Sequence, residues 1–393
     1  MHFSSIDIFC HVVDNFGDIG VVYRFSKEFA IRHPSCRVRV FCDDMIPLSL
    51  MVPGVDKDAA TQEINGITYI DSDRLTTNTL TGQLGPSDVV VEAFGCEIPH
   101  LYQNTLLSQA AVWVNLEHLS AEPWVDGYHL RPSLVTGSRV KKFFYMPGFT
   151  ENTGGVIIDS AAELTRPGLT KNRLAYLNGV LEGFRLRCND VGNSLFGAIF
   201  TYVRGFDTLL AGLQRQKKDA YLFVLGDKSR LGMIETLKRS KGAIKDENHY
   251  AIDHVHVLLM PFVPQDQFDS LLCVSDFNLV RGEDSLVRAI LAQKPFIWSA
   301  YLQNEKYHRT KIKAFLDVYK TYFDDASAYA LYRDVTEQFN DMAKESPFQV
   351  TREQYDGFFG NLMKIEHATK GMSYFMTRKC SLIDKFTDFL SVI

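Results

Sequence analysis

The chain has 393 residues, 46% of them hydrophobic and 23% charged. That is a globular balance, with apolar surface for two or three domain cores and too much of it for a disordered or fibrous chain. Lysine and arginine number 42 against 47 acids, a formal net charge of −5, which excludes a global basic field drawing the protein to nucleic acid or an anionic membrane.

Short β-rich apolar runs recur through the first 160 residues, at Ile6–Val13, Arg37–Cys42, Ile67–Ile70, Asp88–Ala93 and Ala111–Leu116. Unbroken apolar runs bounded by turn residues predict parallel strands buried on both faces. After the first run, Asp14 to Gly20 form a glycine-bearing loop, and Val21, Val22, Phe25 and Phe29 follow at helical spacing. This predicts a βαβ opening, its helix starting near Ile19. The pattern breaks between Pro147 and Gly155, and Asp159–Cys188 reads as polar helical material leading into a second alternating half. Strands are predicted there at Leu195–Tyr202, Tyr221–Leu225, His254–Met260, Asp276–Val280 and Phe296–Trp298. From about Glu305 to Ile393 only helical periodicity remains. The fold class expected is α/β, two doubly wound domains facing across a cleft, residues 1–160 and residues 185–355.

Seven scattered cysteines without a C-x-x-C pair fit neither a disulfide framework nor a zinc site, and suggest a reducing cytoplasm. Met1–Asp7 carries no basic leader, and no run approaches the ~18 uninterrupted apolar residues of a membrane span. A cytoplasmic protein is expected, with no membrane and no nucleic-acid partner.

Ligands of open α/β sheets bind beyond the carboxyl ends of the strands, so the loops there carry the chemistry. Asp14 and Asp18 flank the turn at Gly17, and two carboxylates converging there could act as a base and its orienting partner; alternatively Asp18 caps the helix. The loop lacks the G-x-G-x-x-G spacing and no G-K-[ST] follows, which removes the main support for dehydrogenase and NTPase readings. Arg281-Gly282-Glu283-Asp284-Ser285 precedes the helix Leu286–Ala292. A helix N-terminus with Arg, Ser and Gly suits phosphate oxygens, while Glu283 and Asp284 either steady the helix dipole or contact sugar hydroxyls. Phe200 and Tyr202, and Phe262 with Gln265 just past a strand end, could hold a nucleobase or belong to the core. Asp71-Ser72-Asp73 reads as a D-x-D metal motif or simply a turn. His254 and His256 lack a third ligand, Gly192–Gly197 misses a nucleophile elbow by one residue, and Lys141–Tyr145 reads as a short strand.

Together these segments resemble the EarP-type protein-arginine rhamnosyltransferases, which act on bacterial translation elongation factor P. The resemblance rests on Asp7–Val21, Val114–Glu122, Pro147–Thr150 with Thr153–Gly155, Met260–Gln265 and Arg281–Ser285, and runs through about Trp298. It implies a glycosyltransferase B-type fold of two Rossmann-like domains, the first taking the acceptor and joined by the helices of about 360–393, the second taking the donor. It further implies an inverting, metal-independent transfer without cofactor, from dTDP-β-L-rhamnose to one arginine of elongation factor P, by a monomer. By motif position Asp18 resembles the general base, Asp14 its companion carboxylate and Glu283 the third essential acid. Asn15, Phe16, Gly17, Tyr202, Gln265, Arg281, Gly282, Asp284 and Ser285 resemble donor-binding positions, and Phe262 would stack on thymine. His11 and Tyr23 stand where the family motif has a basic residue and a Trp. Leu291, eight residues after Glu283, is where retaining enzymes of this fold often carry a second Glu. A small-molecule glycosyltransferase or sugar-nucleotide epimerase, and a non-catalytic nucleotide binder, are the competing readings.

Overall fold

Apolar runs without a polar break become strands because helices cover both faces of the sheet. In the computed structural model, which describes residues 3–13, 16–74, 85–107, 112–135, 140–240, 243–301, 307–341 and 350–393, the first half runs β1 (Ser5–Cys10), α1 (Phe16–Arg32), β2 (Arg37–Cys42), α2 (Met45–Met51), β3 (Thr61–Ile64), β4 (Ile67–Asp71), β5 (Val89–Ala93), α3 (His100–Leu107), β6 (Val112–Leu116), α4 (Trp124–Tyr128), β7 (Pro132–Ser133) and β8 (Lys141–Tyr145). The sheet order is β3-β4-β2-β1-β5-β6-β8-β7. It is parallel from β4 to β8, with β3 and β7 as antiparallel edges. Ile6 and Ile8 of β1 bury with Ile19, Val22, Phe25 and Phe29 of α1 on one face. Phe9 buries with Phe41 and Tyr102 on the other. Asp7 sits inside this strand, satisfied by Arg39 Nε and Nη2 at 2.6 and 2.7 Å, by the Ser87 N–H at 3.1 Å and by the Tyr102 hydroxyl.

The second half runs α5 (Ser160–Lys171), α6 (Arg173–Glu182), β9 (Ser194–Ile199), α7 (Asp207–Arg215), β10 (Asp219–Val224), α8 (Asp227–Arg239), β11 (Ala243–Asp246), β12 (His249–Ile252), β13 (Val255–Leu259), α9 (Gln265–Val274), β14 (Phe277–Arg281), α10 (Gly282–Leu291), β15 (Phe296–Ser299), α11 (Tyr307–Tyr319), α12 (Ala326–Asn340), α13 (Arg352–Gly360) and α14 (Leu362–Lys379). Its sheet order is β11-β12-β13-β10-β9-β14-β15, parallel from β13 to β15 with an antiparallel hairpin at the β11 edge. A final helix, α15 (Leu382–Val392), closes the chain.

Two compact units result, Met1–Ser160 with Phe375–Ile393, and Ala161–Tyr374. The return of the C-terminus is fastened by backbone: the Val156 N–H donates to Cys380 O and the Leu382 N–H to Val156 O, both at 2.8 Å. Gly155, at φ +77°, lies so close that a Cβ would stand 2.3 Å from the Cys380 carbonyl oxygen. Phe386 of α15 then meets Phe25, Phe29 and Tyr145 edge-on at 5.1–6.1 Å.

Strand bounds correct the sequence expectation at two telling places. β1 stops at Cys10 rather than Val13, because the Val12 N–H goes to Asp43 Oδ1 at 2.9 Å instead of to a neighbouring strand. β9 stops at Ile199 rather than Tyr202, because the Thr201 N–H goes to Ser229 Oγ at 2.7 Å. Each early stop gives the residues that follow to a loop beyond the strand end. Helix α1 starts at Phe16, not near Ile19, and α10 at Gly282, so Gly282–Ser285 form a helical turn rather than a loop. Among the described residues no helix is long and apolar enough to cross a membrane.

Candidate active site

In the first unit the connections diverge at β1, which has β2 on one side and β5 on the other. Such a switch point opens a crevice beyond the strand ends. Asp18 stands there, in the first turn of α1, half-buried, and its Oδ2 accepts the Val13 N–H at 3.0 Å. Because the helix begins two residues earlier, Asp18 is not its N-cap. It instead reaches back to orient the loop, as acids of the first turn can. Phe16 and Gly17 beside it are exposed, while Asp14 and Asn15 lie outside the described residues. Asp43, at the end of β2, holds the other side of the loop through Val12 N–H and His11 Nδ1. Burial pushes the Cys10 thiol well above its ordinary value, and the nearby Cys42 and Asp18 add to the effect.

The loops after β5 and β6 complete this end of the sheet. Phe94 and Gly95 adopt left-handed backbone, φ +59° and +67°. The Phe94 N–H donates to Leu116 O at 2.7 Å, and its ring stacks on His118 with centroids 4.4 Å apart and planes 13° apart. The sequence reading singled out neither Phe94 nor Asp43. A Phe-Gly pair at a predicted strand end was the available signal for the first; Asp43 carried none beyond its place after a strand.

In the second unit the switch point falls at β9, between β10 and β14, and of the predicted donor residues Tyr202 and Arg281 meet at its carboxyl end, while Asn15, Phe16 and Gly17 belong to the first unit. The Arg281 guanidinium lies 4.4 Å from the Phe200 ring centroid and 5.2 Å from that of Tyr202, and Nη1 donates to Thr201 O at 3.2 Å. Gly282, at φ +71°, turns the chain into α10, and its carbonyl accepts the Trp298 Nε1–H at 2.9 Å. Glu283 pairs with Lys311 Nζ at 3.2 Å, Asp284 lies 3.5 Å from Arg288 Nε, and Ser285 is buried in the first turn. The two acids are therefore steadied by cations of their own unit. Phe262 is 52% exposed, which removes the core reading for it, and Gln265 opens α9.

One cation escaped the sequence reading. Lys228 Nζ sits 5.2 Å from the Tyr202 ring centroid, in the first turn of α8 after Gly226. Gly226 is at φ +74°, and a Cβ there would meet the Phe200 ring at 2.8 Å. A strand followed by Gly-Asp-Lys was the missed signal. Asp71, by contrast, is a turn residue: its Oδ1 accepts the Asp73 N–H at 3.1 Å and its Oδ2 pairs with Arg74 Nε at 3.0 Å. Among the described residues no group of three His, Cys, Asp or Glu side chains is placed to hold a metal ion.

Two largely parallel sheets covered by helices, each with polar side chains beyond the strand ends at its switch point, make up the fold of the B-type glycosyltransferases. A family model described as elongation-factor P (EF-P) rhamnosyltransferase EarP matches residues 6–391, and the chain belongs to that family. It is 36% identical over 334 residues to a protein-arginine rhamnosyltransferase of Pseudomonas putida, covering 84% of this chain and 85% of the relative. It is 35% identical over 327 residues to one of Shewanella oneidensis, covering 80% and 81%. A solved structure described as the structural basis for EarP-mediated arginine glycosylation of translation elongation factor EF-P shares the fold, with a TM-score of 0.64, 21% identity and 98% of each chain covered. These likenesses do not favour the small-molecule transferase or epimerase reading.

Proposed function

We propose that this enzyme transfers rhamnose from dTDP-β-L-rhamnose to the guanidinium of one arginine of translation elongation factor P, with inversion at the anomeric carbon and without a metal or other cofactor. The observation that carries the reading is the family match over residues 6–391, which takes in both loop systems described above.

The chemistry has to overcome a weak nucleophile, since a guanidinium stays protonated past pH 12 and spreads its lone pair over the plane. Asp18, its carboxylate oriented by the Val13 N–H, accepts a proton from the guanidinium as its nitrogen bonds to the anomeric carbon. The sugar–phosphate C–O bond breaks on the opposite face, and its electron pair leaves with dTDP. Arg281 and the N-terminus of α10 meet the charge that develops on the diphosphate. Glu283 contacts the sugar or the far side of the guanidinium, Asp14 is the companion acid, and exposed Phe262 stacks on the thymine.

Elongation factor P incubated with the enzyme and dTDP-β-L-rhamnose should gain the mass of one deoxyhexose on a single arginine, in the α configuration by NMR. An unmodified protein, or sugar on a different residue type, would refute the reading.

A further inference from the structure

We propose that the stacked Phe94–His118 pair is the acceptor-arginine platform, the flat wall along which the guanidinium lies while Asp18 takes its proton. The inference rests on the arginine-transfer reading and adds the side chains that recognise the acceptor. The pair is assembled from two neighbouring loops: Phe94 follows β5, and its N–H hydrogen bonds to Leu116 at the end of β6. Parallel register pairs Phe9 with Glu92, so β1 and β5 end side by side, His11 following the last residue of one and Phe94 the last residue of the other. Phe94 also packs against the core formed under α1, by Ile19, Val22 and Phe25. The pair therefore stands on the same face of the sheet as the helix whose first turn carries Asp18.

Packing alone does not explain the geometry. A phenylalanine at φ +59° is held in a backbone region that side chains other than glycine avoid. Gly95, at φ +67°, is not wedged by neighbours, since a Cβ there would meet nothing within 4 Å. What the two left-handed residues accomplish is to hold the Phe94 ring parallel to that of His118, an exposed residue, as a backing for it. A planar, weakly hydrated cation binds well against such a face, and a lysine would fit it poorly. The platform thus supplies what a lone carboxylate lacks, a fixed plane for the group that must react edge-on.

Steady-state kinetics with elongation factor P and dTDP-β-L-rhamnose test this in His118→Leu and His118→Tyr, both surface changes. His118→Leu should raise the KM for elongation factor P about 5- to 30-fold, leaving dTDP binding by calorimetry unchanged, and His118→Tyr should restore the acceptor KM. If the wild-type enzyme does not modify elongation factor P, the function falls and this inference with it. If it does, an unaltered acceptor KM in His118→Leu, or a rise that Tyr does not reverse, overturns the platform alone.

Discussion

His129 shows how a single half-buried side chain links pH to the first unit. Its Nδ1 accepts the Met146 N–H at 3.2 Å and its ring meets Tyr145 edge-on at 4.7 Å. Burial, then the charge of Lys385, pushes its pKa down to about 4, against ~6.5 in an unfolded chain. Between those values the unfolded imidazole binds a proton that the folded one refuses, so stability is full above the unfolded value and drains as pH falls towards the folded one. The urea midpoint should drop between pH 7 and pH 4.5, and His129→Gln should flatten that drop. Equal slopes for the two proteins would remove His129 from the account. The same scale explains which site residues were legible. Asp18, Arg281 and Glu283 lie in short polar stretches of sequence that interrupt apolar runs, and these are legible although they fold as helix turns and a strand end. Phe94 and Lys228 look like an ordinary core aromatic and an ordinary surface lysine until the backbone at φ +59° and the Tyr202 ring 5.2 Å away give them a place.

At the scale of elements, the C-terminal helix is part of the first unit's core rather than an appendage. α15 places Phe386, Phe389 and Leu390 in the cluster that contains Ile6, Ile8 and the apolar face of α1. Phe386→Ala removes a fully buried ring and should cost about 3–5 kcal/mol, read as a lower urea midpoint. A loss below about 1 kcal/mol would mean that the helix is not needed to close the core. Parallel central strands were readable because burial on both faces leaves an apolar run with no alternation; Arg37–Cys42 is found with the predicted bounds. The edge strands were not. β3 alternates exposed and half-buried residues in Thr-Gln-Glu-Ile, and β7 is two residues long, so neither leaves a hydrophobic signature. Helix starts were misplaced for a related reason. α1 and α10 begin at Phe16 and Gly282, with Gly17 or Gly282 and acids in their first turns, residue types that read equally well as loop.

At the scale of the molecule, the proposed reaction asks a chain of net charge −5 to handle a cationic acceptor and an anionic donor. Acids stand at the strand ends of both sheets, Asp18 and Asp43 in the first and Glu283 and Asp284 beside Arg281 and Lys228 in the second. The composition could not show this placement, because the opposite charges nearly cancel in the sum. The proposed reaction takes its reactants from the family and its proton acceptor from Asp18. The most direct test of that central claim replaces the acid without changing its shape. Asp18→Asn should bind dTDP with wild-type affinity by calorimetry, while its single-turnover transfer to elongation factor P falls by about 10²-fold or more. Transfer at close to the wild-type rate, with the donor bound normally, would contradict the account.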